Sequence, residues 1–207
     1  MQLLRFLVLA VAVLVMQGCA FTKATLDVKH TNAQIAGPLG DVMPIAFQTP
    51  QLLDSRADTA RIGWKKNGFG QNTADVVTKQ PVEQLVEAAV AKALTDTKHS
   101  VGDSGDVQVV GTIDRFWFEI DPNFWTVKFI GDVQCTVDFI DRQTKQSIYK
   151  SKYAGSYAQE KAGGLEKTWA EIMSKALDKL IESIVLDEEL VAALNKRLTP
   201  KVSSATE

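Results

Sequence analysis

One long run of strict alternation and two long helix-period stripes predict an α+β chain, a two-layer sandwich in which a largely antiparallel sheet carries two long amphipathic helices on one face. In the alternating run Trp125, Val127, Phe129, Gly131, Val133, Cys135, Val137 and Phe139 share one side, while Lys128, Asp132, Gln134, Thr136 and Asp138 share the other. The stripes are Val82, Leu85, Val86, Ala89, Val90, Ala93 and Leu94, and then Leu165, Trp169, Ile172, Met173, Ala176, Leu177, Leu180, Ile181 and Ile184. A sheet with one wet face and two half-apolar helices buries most surface when both helices lie across the apolar face.

The first eighteen residues read as a signal peptide. Arg5 supplies a positive start, residues 6–16 are an uncharged apolar run, and Gly18-Cys19 follows. Eleven helical residues reach only about 16 Å, well short of a bilayer core of about 30 Å. Residues 15–19, V-M-Q-G-C, resemble the lipobox of bacterial lipoproteins, in which the cysteine becomes the acylated first residue after cleavage. Ala20, where an aspartate would resemble inner-membrane retention, points to the outer membrane and its periplasmic face. Residues 19–40 then read as lipid anchor and tether, with one short strand near 26–28.

A single domain is expected over 41–198, since the 189 residues left after the leader suffice for one core. Strands are predicted at 42–47, 61–65 and 75–78, with Asn67-Gly68 favouring a tight reversal. Pro81 suits the first turn of a helix that ends near 97–100, and the turn 102–105 leads into an extended block. Val107, Val109 and Ile113 alternate with polar residues until Phe116, Trp117 and Phe118 break the pattern, which predicts a bulge or exposed edge near Arg115. Residues 124–158 read as a long hairpin with Tyr149, Tyr153 and Tyr157 on a common side. The second helix follows Gly163-Gly164, a short third helix is expected over 187–198, and 199–207 reads as a flexible tail.

Charge and cysteine content exclude several classes of function. Loss of Arg5 with the leader takes the net charge from −2 to −3, which offers no basic footprint for nucleic acid. With Cys19 acylated, Cys135 stands alone, so no intramolecular disulfide forms, and one cysteine with two distant histidines makes no zinc site. No cofactor or metal is expected. Gly102-Asp103-Ser104-Gly105 looks like the nucleophile segment of chymotrypsin-like proteases, yet the triad order and scaffold are absent and the segment reads as a polar turn. The pairs Asp114/Glu119 and Asp132/Asp138 read as a solvated strand face, Cys135 as an inert buried thiol, and Met43 and Met173 as core fillers.

Two candidate binding surfaces remain, and no catalytic residue is assigned. Arg115, Phe116, Trp117, Asp121, Phe124 and Trp125 crowd the predicted hairpin end, where the rings serve either recognition or core packing. Asp54, Arg56, Asp58 and Arg61 form a mixed-charge loop that serves either a ligand or its own salt bridges.

The whole arrangement resembles the YajG-like family of bacterial envelope lipoproteins. The resemblance rests on G-C-A at 18–20, D-S-R at 54–56 followed by D-T, R-I-G-W at 61–64, the helix after Pro81, the hairpin strands and the terminal amphipathic helix. It implies a lipid-anchored, periplasm-facing protein of the outer membrane and carries no catalytic residues. The expected role is non-enzymatic, binding or accessory, with an envelope protein, lipid or glycan as partner and a homodimer as one way of using the aromatic end. The alternatives are an auxiliary lipoprotein of an envelope lipid-transport system, which such a domain also resembles, and an enzyme acting on cell-wall or lipid substrates.

Overall fold

A computed structural model describes residues 22–31, 35–122 and 125–198. Nine strands form one open mixed sheet: β1 (Ala24–Leu26), β2 (Ala46–Phe47), β3 (Gln51–Asp54), β4 (Gly63–Lys66), β5 (Asn72–Thr78), β6 (Ser100–Val101), β7 (Val107–Pro122), β8 (Val127–Asp141) and β9 (Ser147–Lys161). Three helices accompany them: α1 (Val82–Asp96), α2 (Glu166–Val185) and α3 (Glu188–Leu198). The α+β class expected from the sequence is therefore present. Among the described residues no helix is long and apolar enough to cross a membrane.

Strand β7 organises the sheet. One edge pairs along its length with β8, which pairs with β9, and all three run antiparallel. The other edge receives β2, β3 and β4 one after another, each parallel to β7. Beyond them β6 pairs with β2, antiparallel β5 with β4, and β1 runs parallel to β5. The sheet is thus mixed where a largely antiparallel one was expected. Parallel pairing between distant segments leaves no local hairpin signal, whereas the 124–158 hairpin does.

Burial follows the predicted faces in the long elements. Phe129, Val133, Cys135, Val137 and Phe139 of β8 are buried while Gln134 is exposed. Both helical stripes are buried apart from Trp169, which is half-buried, and Leu165, which is exposed. Helix α2 rests on β8 and β9, and α1 on β3 and β6. The approach of α2 is close enough that a Cβ on Gly155 would stand 2.1 Å from the Leu180 amide nitrogen and 2.2 Å from the Ala176 carbonyl oxygen. Glycine is required there by backbone contact.

Three local expectations fail for identifiable reasons. Met43 lies between β1 and β2 and is exposed, so it fills no core, whereas Met173 is fully buried. Trp125 lies before β8 begins and is exposed, because the alternating run enters the sheet only at Val127. The segment read as a tether places Ala24, Leu26, Val28 and Leu39 in the core, and β1 is a strand of the sheet. Cys19 and its lipobox lie outside the described residues, as does the tail 199–207.

Candidate functional site

The 54–61 loop is built around Arg56, which is almost completely buried. Strand β3 ends at Asp54, and Ser55 donates from its amide to the Ile113 carbonyl at 3.1 Å, which turns the Arg56 side chain under the loop. Its Nε and Nη2 donate to the two Asp54 carboxylate oxygens at 2.8 and 2.6 Å, and Nη1 donates to the carbonyls of Arg61 and Phe116 at 2.9 and 3.3 Å. The geometry is a bidentate fork with its spare donors spent on backbone. Burial pushes the Asp54 carboxyl up, the Arg56 bonds outweigh it, and the net position lies below the ordinary carboxylate value. Arg61 is nearer the surface, with Nη1 2.9 Å from Asp75, Nε 2.9 Å from Asp58 and its guanidinium carbon 3.9 Å from the Trp64 ring centroid. A cleft of about 510 Å³ opens beside these residues, and Lys23, Lys79 and Glu83 line its other sides. Asp54, Arg56 and Arg61 line this cleft, whereas Asp58 does not and meets it only through its ion pair with Arg61.

The aromatic hairpin end separates into a buried part and an exposed part. The bulge expected near Arg115 is present, with the register of β7 against β8 shifting between Ile113 and Arg115. One extra residue reverses which alternate positions face inward. Phe116, Phe118 and Ile120 consequently turn into the core, and Phe116 is fully buried, so it belongs to no recognition surface. Phe118 stacks on Phe129 at 6.2 Å and meets Trp169 at 5.5 Å. Trp117 takes the opposite face, half-buried, with Nε1 donating to Glu119 Oε2 at 3.0 Å. Arg115 pairs with Asp132 at 2.5 Å, and Asp121 is exposed opposite Lys128. Trp125 stands out beyond the strands, and Phe124 lies outside the described residues.

Other reactive residue types have structural occupations. Burial, with Asp114 nearby, pushes the Cys135 thiol up to about 12, which removes thiolate character. His99 is buried between β6 and the 38–41 turn: Ile45 N–H donates to Nδ1 at 3.2 Å, leaving Nε2–H to donate to the Leu39 carbonyl at 3.1 Å. Burial lowers its pKa, so the ring stays neutral. Gly102 to Gly105 is the turn between β6 and β7, with no histidine ion-paired to a carboxylate there. Asp114 accepts from Thr112 and Thr136, Asp132 pairs with Arg115, Asp138 accepts from Ser147, and Glu119 pairs with Lys66. Among the described residues no group of three or more His, Cys, Asp or Glu side chains is placed to hold a metal.

Two polar anchors escape sequence reasoning. Asp178 on α2 lies 2.6 Å from His30 Nδ1 and accepts from the Thr31 amide at 2.9 Å and from the Thr31 hydroxyl, while Ser174 accepts from the Lys29 amide at 3.0 Å. Nothing in a polar helix position foretells a partner almost 150 residues away. Asp187 accepts from the amides of Glu189 and Leu190 and from the Tyr153 hydroxyl at 2.8 Å. Its capping role was legible in D-E-E-L, where an aspartate precedes an acidic first turn.

No curated protein matches the chain. Among solved structures the fold is similar to that of a Xanthomonas campestris protein of the DUF330 family, with 11% identity, 85% of this chain and 98% of that one covered, and a TM-score of 0.52. A candidate lipoprotein from Caulobacter crescentus aligns at 11% identity over 79% of this chain and 96% of its own, TM-score 0.43. A minor lipoprotein from Acinetobacter baumannii aligns at 10% identity over 78% and 98%, TM-score 0.39. At 11% identity the Xanthomonas structure speaks to fold alone. Residues 51–195, from the start of β3 into α3 and including all three long strands, match the model of the family described as uncharacterised lipoprotein, and the chain belongs to that family.

Proposed function

We propose that the chain is a non-enzymatic, periplasm-facing lipoprotein of the YajG-like kind, held in the outer membrane by an acylated Cys19 and serving as a binding or accessory module of the envelope. The observation that carries this reading is the lipoprotein-family match over 51–195 in a chain that also bears V-M-Q-G-C directly after an eleven-residue apolar run. Ala20 supports the outer membrane as destination. On this reading the domain is a two-layer sandwich, supported by the contact of α1 with α2 and by their draw on one connected set of buried strand residues.

The binding surface we favour is the exposed part of the hairpin end, Trp125 with Trp117, Arg115 and Asp121, for an envelope protein, lipid or glycan. Arg61 at the cleft, with Asp58 paired to it, is the secondary surface. Capture from detergent-solubilised envelopes with the lipidated protein tests the role, using Cys19→Ser as the control. Cys19→Ser is expected to leave the fold intact and to move the protein from the membrane fraction to the soluble one. A variant that stays with membranes through a salt wash would overturn lipid anchoring, and repeated failure to recover any saturable partner or glycan would overturn the binding role.

A further inference from the structure

The three most exposed large apolar side chains of the described residues, Phe69 at 92%, Trp125 at 84% and Leu165 at 81%, stand on three separate connections. Strand directions bring those connections to one end of the sheet. Strands β4 and β7 are parallel, so the turn after β4 and the turn after β7 leave the same edge, and a Cβ on Gly70 would stand 3.9 Å from Pro122 Cγ. Strand β9 finishes there too, with Lys161 level with Val127, and the connection to α2 is held by Lys65 Nζ 3.1 Å from Glu166. Phe69 sits in a polar turn: the Asn67 carboxamide oxygen accepts from the Phe69 and Gln71 amides, both at 3.0 Å, and Gly70 takes a positive φ of 77°.

The amino-terminal chain returns to this same pole. Strand β1 is parallel to β5 with Ala24 level with Val76, so Thr22 and Lys23 precede it on the side of Asn72 and the β4–β5 turn. Four residues lie between Cys19 and Ala24, so the five Cα–Cα steps reach at most about 18 Å. An acyl group on Cys19 therefore keeps Ala24 within that distance of the bilayer surface, four residues along β5 from the pole.

We propose that the pole seats on the leaflet that holds the Cys19 lipid, with Phe69, Trp125 and Leu165 entering the boundary between headgroups and acyl chains. The inference rests on the lipid-anchor reading above and adds an orientation to it. Phenylalanine, tryptophan and leucine are the side chains that occupy this boundary, and three isolated points on separate turns suit a soft surface better than a close-packed protein seam. Local charge is mixed, Lys128 standing level with both Asp121 and Glu160, so the contact is apolar and insensitive to salt.

The experiment uses the full lipidated protein in phosphatidylethanolamine and phosphatidylglycerol vesicles with and without dibrominated acyl chains. Brominated lipid is expected to quench tryptophan emission at low and high salt, and Trp125→Phe is expected to lose most of that quenching. In a Cys19→Ser background, changing Phe69, Trp125 and Leu165 together to serine is expected to lower residual vesicle partitioning by about tenfold. Circular dichroism checks that the fold persists in each variant. Protein that floats with vesicles while its emission is indifferent to bromine would overturn the seated pole and leave the anchor standing. Absence of an acylated Cys19 peptide by mass would overturn the anchor and with it this orientation. Sedimentation of an oligomer whose Trp125 is shielded from bromine would assign the pole to a second copy and overturn the proposal.

Discussion

The Asp54/Arg56 pair shows a charged motif serving the fold from inside, since both side chains are more than nine-tenths buried and Arg56 also ties the carbonyls of Arg61 and Phe116 to the loop. Arg56→Met strands a carboxylate in that position and is expected to cost about 3–5 kcal/mol in denaturant unfolding, with the double variant Asp54→Leu/Arg56→Met recovering part of it. The sign of the pH dependence follows from the lowered Asp54 pKa: its stabilisation is present above the unfolded carboxyl value near 4 and is lost as pH falls through the folded value. Wild type is therefore expected to lose stability below about pH 4 more steeply than the double variant, as acid titration of unfolding will show. A second contrast lies on β8, where Val137 is fully buried and Gln134 is exposed. Val137→Asp is expected to cost about 3 kcal/mol or more by burying an unpaired charge, and Gln134→Lys less than about 0.5 kcal/mol, measured by thermal or urea unfolding.

Helix α2 shows how far periodicity reaches and where it stops. Its stripe from Ile172 to Ile184 was legible because its inward positions, Ser174 apart, are apolar at helical spacing, and the inward positions of β8 are apolar in alternation. The bulge was legible as a break in alternation, yet its consequence was not, because whether 116 or 117 turns inward depends on which strand gains the extra residue. Of the short parallel strands, β2 and β4 were placed only approximately and β3 was not among the predicted strands, since two to four residues carry no period and their partner in β7 is distant in sequence. Of the candidate site residues, Phe116 turns into the core through the bulge, and Trp125 is exposed because it precedes β8. Glycines on β8 and β9 also carry information that polarity patterns omit: Gly155 admits the backbone of α2, and any side chain must push the helix away. Gly155→Ala is expected to destabilise by about 1–3 kcal/mol or more, while Gly68→Ala, whose Cβ would meet nothing within 4 Å, should change stability little. Paired urea melts check the contrast.

The amino-terminal segment links the membrane question to the stability of the whole domain. It enters the sheet as β1, fills the core with Leu26 and Val28, and is then fastened to α2 by Ser174 and Asp178 at Lys29, His30 and Thr31. Strand β1 is only three residues long and, among the described residues, β5 is its sole strand partner. The fastening at Asp178 is therefore what keeps this edge strand from peeling away. Burial raises the Asp178 carboxyl, the bonds from His30 and Thr31 outweigh it, and the net lowering keeps the carboxylate charged down to below about pH 4. Asp178→Asn removes the charge, weakens acceptance from His30 and leaves the helix packing untouched. Hydrogen exchange at pH 6 to 7 is expected to quicken at least severalfold in the amides of 24–31 while those of β8 keep wild-type protection, because local opening of an edge draws on far less free energy than global unfolding. Equal acceleration in β8 would show that the segment and the long strands open as one unit. In that case the fastening would govern global stability rather than the attachment of β1 alone.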